Sequence, residues 1–193
     1  MRAIILLGPP GAGKGTQAER LAAALGVAHI STGAILRQAA AEGTSLGREA
    51  RRIMQAGELV SDALVLDIVE ERVRADDCRE GFILDGYPRN RAQAEALDGL
   101  LLRIGAAPVV VNIAVPTAEL ESRIRLRRLE TGREDDAEAA VRRRLAIYDA
   151  ESRPLLDHYR DRVKPISGLG SRDEVFERLQ EQILGELVGA GVA

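Results

Sequence analysis

The 193-residue chain contains one cysteine, no tryptophan, 3% aromatic residues and no apolar run long enough to span a bilayer. Each shortage excludes something. Cys78 alone forms no internal disulfide and cannot furnish a cysteine-rich zinc cluster, so structural zinc is not expected. A lone thiol fits a reducing compartment, and a cytoplasmic location is expected. With so few aromatics, stacking of bases on rings is not a general device of this surface. The apolar stretches fall well short of the roughly 18 residues a membrane helix needs, so no membrane partner is expected. The N-terminus reads as a strand feeding a functional loop, unlike a secretion signal. The net charge of −3 is spread along the chain and offers no basic face to a nucleic acid. A chain of this length suits one domain that buries about 70% of its unfolded surface.

Lysine is the most informative shortage. Of 27 basic residues only Lys14 and Lys164 are lysines; the other 25 are arginines. Lys14 follows an apolar strand and the stretch Gly8-Pro9-Pro10-Gly11-Ala12-Gly13, and it opens a helix. Glycines at 8, 11, 13 and 15 let the backbone bend around an anion, because no Cβ intervenes. The loop N–H groups and the helix N-terminus then face a phosphate, and Lys14 adds a compact mobile charge where an arginine fork would not serve. The general pattern places Ser or Thr directly after the lysine to hold magnesium. Here Gly15 takes that slot and Thr16 comes one residue later, which narrows the subclass and weighs against metal ligation by Thr16.

Short apolar runs alternate with longer, charged, amphipathic stretches. Strands are expected at 3–7, 27–30, 81–84, 108–115 and 163–166. Helices are expected at 14–25, 33–42, 46–54, 62–74, 91–104, 118–129, 137–160 and 172–187, with residues 188–193 fraying. The alternation predicts an α/β fold with a parallel sheet covered on both faces, and ligands at the carboxyl ends of its strands. No repeat, low-complexity linker or domain boundary is visible.

Two further signals lie downstream. Phe82-Ile83-Leu84-Asp85-Gly86-Tyr87-Pro88-Arg89 is a buried strand ending in an acid and a sharp turn. Asp85 would lie near the phosphate loop and hold Mg2+ through waters, since magnesium dehydrates reluctantly. Gly86 permits close backbone approach, and Arg89 offers a bidentate fork. Arg123 and Arg127 are four apart, hence on one helix face, which suggests an anion between them. Arg125, Arg128, Arg142 and Arg143 read as solvated charges.

The loop Gly-x-Pro-Gly-x-Gly-Lys-Gly-Thr, the stretch Ser31-Thr32-Gly33 followed by Arg37, and Asp85-Gly86-Tyr87-Pro88-Arg89 resemble the nucleoside monophosphate kinases, and among them the adenylate kinases. The resemblance runs from Met1 to about Glu186. It implies a single P-loop kinase domain over 1–193: a three-layer fold with a five-stranded parallel sheet, a small helical monophosphate-binding insert at about 31–60 and a short lid loop at about 127–133. The implied reaction is MgATP + AMP ⇌ 2 ADP, in a monomer whose partners are ATP, AMP and ADP.

By similarity, Gly11, Ala12, Gly13, Lys14, Gly15 and Thr16 bind ATP, with Arg123, Arg127 and Gly170 at its adenine and phosphates. Thr32, Gly33, Arg37, Glu58, Leu59, Val60, Gly86, Tyr87, Pro88 and Arg89 would bind AMP. Gln93 would read the adenine edge, because an amide pairs with a group that both donates and accepts. Lys14, Arg89, Arg123, Arg133 and Arg144 would be catalytic, with Arg133 and Arg144 also contacting AMP and Asp135 and Asp136 positioning the arginines. Ser31 or Thr32 would also cap the helix that follows. Ala34 departs from the aspartate usual in the family. Only five residues separate Arg127 from Arg133, leaving no room for the longer lid of many bacterial relatives. No general base is implied, and residues 31–60 and the lid are expected to close over both nucleotides. A UMP/CMP kinase would typically carry asparagine in place of Gln93 and lack Thr32. An inactive adenine-nucleotide sensor is at odds with the full set of basic residues, and a hydrolytic switch with Gly15.

Overall fold

The computed structural model describes residues 1–42 and 45–189. Five strands form its centre: β1 (Arg2–Leu7), β2 (Ala28–Ser31), β3 (Gly81–Asp85), β4 (Ala107–Ala114) and β5 (Val163–Ser167). All pair in parallel, in the order β2-β3-β1-β4-β5. The helices are α1 (Lys14–Leu25), α2 (Thr32–Ala41), α3 (Ser45–Gln55), α4 (Asp62–Val73), α5 (Arg91–Arg103), α6 (Thr117–Thr131), α7 (Glu138–Ile147), α8 (Leu155–His158) and α9 (Arg172–Gly189).

Successive side chains of a strand point to opposite faces of the sheet, and both faces here are covered. Ala3, Ile5 and Leu7 of β1 enter one core cluster, with Phe82 and Leu84 of β3. Ile4 and Leu6 enter the other, with Ile83, Val111 and Ile113. This is why the strands read as continuous apolar runs rather than alternating ones. Each buried Ile, Leu or Phe contributes roughly 1.5–3 kcal/mol relative to exposure.

The register fixes the site. Leu6 lies opposite Asp85, Leu7 opposite Asn112, and Ser31 opposite Asp85. The phosphate loop, the acid and the start of α2 therefore emerge side by side at the carboxyl edge. At the centre of the order, β1 has β3 on one side and β4 on the other, the kind of switch point at which parallel sheets bind ligands.

Most expected elements agree to within a residue or two, as boundaries do. The exception is the single helix expected over 137–160. It is α7, then a wide π turn at Tyr148–Ser152 in which Arg153 N donates to Tyr148 O at 2.8 Å, then the separate short α8. Pro154 has no N–H to continue the ladder. The segment 127–133, expected as a loop, is helical through Thr131 and turns at Gly132 with φ +64°. Val188 and Gly189, expected to fray, belong to α9; residues 190–193 of that tail lie outside the described residues. Among the described residues, no helix is long and apolar enough to cross a membrane.

Candidate active site

The loop between β1 and α1 is shaped by its glycines. Gly8 has φ +140°, and a Cβ there would sit 2.6 Å from the Ile113 carbonyl oxygen, so only glycine lets the chain pass beside β4. Gly13 caps α1 in the left-handed conformation. Lys14 Nζ folds back to donate to Gly8 O at 2.7 Å and Pro9 O at 3.0 Å. Burial brings its ammonium down to about 8, opposed by the negative charge of Asp85. Asp85 accepts from Ser31 Oγ at 3.3 Å and lies 3.8 Å from His29 Nε2. Burial pushes the Asp85 carboxyl up, but neighbouring His29 and Lys14 outweigh it, and the group stays below the ordinary carboxylate value.

Across the cleft, Ser31 caps α2 by accepting from Ala34 N. Thr32 Oγ1 donates to Gly86 O at 3.0 Å, and Arg89 Nε donates to the same carbonyl at 2.8 Å. Burial lowers Arg89, and the nearby charge of Arg144 lowers it further. Arg37 is brought down to about 10 by burial and Arg133, partly offset by Asp135. Such shifts mark guanidinium groups that lack a full set of counter-charges, as at sites that receive an anion.

The end of α6, the turn after it and α7 supply paired charges. Arg127 makes two 2.7 Å bonds to Asp136, whose side chain is 0% exposed. Arg144 Nη1 donates to Asp136 Oδ1 at 2.9 Å and to Asp135 O at 2.8 Å. Arg133 grips Asp135 at 3.0 and 2.6 Å. Asp135 and Asp136 thus hold three arginines from α6, the turn after it and α7 on one wall.

The cleft measures about 540 Å³ and is lined on one side by Gly11, Gly13, Lys14, Gly15, Thr16 and Asp85. Thr32, Gly33, Arg37, Glu58, Leu59 and Val60 line another side. Gly86, Pro88, Arg89, Gln93, Arg127, Arg133 and Arg144 also face it. Four expected residues lie outside this lining. Ala12 and Tyr87 are buried in the core, Tyr87 donating its hydroxyl to Gln93 O at 3.2 Å. Arg123 pairs with Glu119 at 2.8 Å, one turn back along α6. At Gly170, φ is +104° and a Cβ would meet Glu174 Oε2 at 2.5 Å.

Sequence reasoning missed several participants. His29 lines the cleft beside Asp85. Ser152 donates to Arg89 O at 2.6 Å from the π turn. Arg51 donates to both oxygens of Glu134 at 2.8 Å, and Gln55 adds a 2.6 Å bond, so α3 and the turn that follows α6 are joined in this structure. Only tertiary pairing reveals these; no local spacing signals them. Among the described residues, no group of three or more His, Cys, Asp or Glu is placed to hold a metal ion.

The family model for adenylate kinase matches residues 6–164. An adenylate kinase of Stenotrophomonas maltophilia (strain R551-3) is 49% identical, over 94% of this chain and 99% of its own length. One from Mycobacterium sp. (strain MCS) is 50% identical over 91% and 95%, and one from Xylella fastidiosa (strain M23) 47% over 91% and 96%. With a phosphate loop, a strand-end acid and an ordered arginine wall around one cleft, and with relatives this similar along most of its length, the chain belongs to the adenylate kinase family.

Proposed function

We propose that this cleft transfers a phosphoryl group reversibly from MgATP to AMP, giving two ADP, and so serves adenine-nucleotide homeostasis. One observation carries the reading: Lys14, Asp85, Arg89, Arg127, Arg133 and Arg144 converge on one cleft at the carboxyl edge of the sheet. Phosphoryl transfer has a loose transition state with charge on the equatorial oxygens, so catalysis is alignment and positive charge. Lys14 and the amides of residues 11–16 hold the donor phosphates. Arg127, Arg133 and Arg144 neutralise the transferring group. Arg123 and Gly170 are assigned to the donor by similarity, from positions outside the cleft lining. Thr32, Gly33, Arg37 and Arg89 take the acceptor phosphate. Glu58, Leu59 and Val60 wall its base, Gly86, Tyr87 and Pro88 support it, and Gln93 meets its adenine edge.

Asp85 fits a magnesium held through waters: a single depressed carboxylate beside the phosphate loop, completed by substrate phosphates, suits that ion. When bound, the ion offsets charge on the donor phosphates. Closure of residues 31–60 and 127–133 over the nucleotides would exclude water, and the Arg51–Glu134 pair gives the joined arrangement a physical basis. The enzyme is proposed to act as a cytoplasmic monomer. Steady-state rates with AMP, CMP, UMP and GMP as acceptors test the reading, AMP being preferred. Arg89→Ala should lower kcat/KM for AMP about 100-fold or more; a loss of less than tenfold would refute its role.

A further inference from the structure

Gln93 is 3% exposed, and its amide already has partners. Its Oε1 accepts from Arg89 N at 2.7 Å, and its Nε2 donates to Asp62 Oδ1 at 2.7 Å. A backbone N–H only donates and a carboxylate only accepts, so these two neighbours fix which end of the amide is oxygen. Rotating the amide by half a turn would set donor against donor at Arg89 and acceptor against acceptor at Asp62. Asp62 is itself held: Asn90 Nδ2 donates to its oxygens at 3.0 and 3.1 Å, while Asn90 Oδ1 caps α5 by accepting from Gln93 N at 2.9 Å. The acid on α4, the cap of α5 and the amide form one closed set.

A primary amide has two N–H donors and two carbonyl lone pairs. One of each is spent internally, which leaves one donor and one acceptor, in a fixed order, for a base in the cleft that Gln93 lines. Adenine presents an amino donor beside a ring-nitrogen acceptor. A 6-oxo purine presents the reverse, a carbonyl acceptor beside an N–H donor. A freely rotating amide pairs with either; a held one pairs with one. We propose that Asp62 is a specificity-determining positioning residue, which locks the Gln93 amide so that the acceptor site takes 6-amino over 6-oxo purine nucleotides. The proposal rests on the reading of Gln93 as the residue that meets the acceptor base.

Asp62 also occupies the first turn of α4, where an acid favours the helix regardless of any base. The test must separate these roles. Asp62→Asn, whose amide can accept or donate, and Asp62→Ala are compared with the wild type for kcat/KM with AMP and with IMP at saturating MgATP, with circular dichroism confirming the fold. The expected result is a fall of fivefold or more in the AMP-to-IMP ratio in each folded variant. In a Gln93→Ala background, adding Asp62→Asn should change that ratio less than twofold. A helix-starting role alone would lower both substrates together and leave the ratio within fivefold of wild type, which overturns the proposal. So would an equal effect of Asp62→Asn with and without Gln93. Wild-type protein that is selective for AMP while the ratio resists both variants overturns this inference alone. Wild-type protein that does not convert AMP to ADP overturns the underlying reading as well.

Discussion

Asp136 is the acid on which the arginine wall depends. Its side chain is wholly buried and receives three charge-assisted bonds, two from Arg127 at 2.7 Å and one from Arg144 at 2.9 Å. Asp136→Asn keeps the shape, removes the charge and turns an N–H₂ toward a guanidinium that can only donate. Taking one partner from a buried ion pair costs about 3–5 kcal/mol. Arg127 and Arg144 are 32% and 17% exposed at the side chain, so water recovers part of that, and about 2–3 kcal/mol is expected. For a domain of this size the loss corresponds to a fall in Tm of roughly 5–10 °C. Burial pushes the Asp136 carboxyl up, but the bonds from Arg127 and Arg144 and the nearby charges outweigh it, leaving it below its unfolded value of 3.8. A depressed acid stabilises above that value, and the contribution is lost as pH falls through the lower folded one. The stability gap between wild type and variant should therefore be full at pH 7 and shrink below about pH 4. Freed arginines lose their alignment, and a displacement near 1 Å costs about 10²-fold in rate. Denaturant melts across pH and steady-state ADP formation measure both effects. A variant with Tm within 2 °C of wild type and kcat within threefold would refute the reasoning.

Lys14 gives a pH dependence of the same sign in a higher window. Its folded value of about 8 lies below the 10.5 of the free side chain, so between those values the unfolded chain holds a proton the folded chain has released. Stability should then rise with pH across that window by about 2–3 kcal/mol relative to Lys14→Met, and a flat difference in melts between pH 8 and 10.5 would refute it. Gly86→Ala places a Cβ at φ +83°, 3.0 Å from Thr32 Oγ1 and 3.3 Å from Arg89 Nη2. The left-handed conformation alone costs about 1–2 kcal/mol, and the crowding displaces both side chains. KM for AMP should rise at least fivefold more than KM for ATP; equal changes would show that the turn does not shape the acceptor side.

Much of this was legible in the chain. The phosphate loop is local, with every group within one strand-loop-helix unit, so spacing alone marks it. Asp85 was legible because a buried apolar run ending in an acid implies the carboxyl edge of a strand. The π turn at Tyr148–Ser152 was not, because charged residues continue at helical spacing and only Pro154 hints at the interruption. The clasp of Arg51 and Gln55 on Glu134 spans about eighty residues of sequence and joins exposed polar side chains. Patterns of that kind are common on solvated helices, so nothing in them points to a partner. Tyr87 and Arg123 were legible in position but not in packing. The motif fixes their place in the chain, but packing turns the first into the core and pairs the second with Glu119 outside the cleft lining.

Gly15 and Asp85 read from the sequence as two unrelated features, a missing hydroxyl and an acidic strand end. In three dimensions they occupy the same space. A Cβ at position 15 would lie 3.3 Å from Asp85 Oδ2, the oxygen that already accepts from Ser31 and faces His29. A serine or threonine there would press its hydroxyl against that carboxylate and draw a lone pair from it. Glycine at position 15 leaves that carboxylate room which a side chain would crowd by a few tenths of an ångström. The register that sets Leu6 opposite Asp85 brings the two features together. The departure from the general loop pattern thus lies directly beside the acid at the end of β3, where a glycine keeps Oδ2 uncrowded for its bond from Ser31.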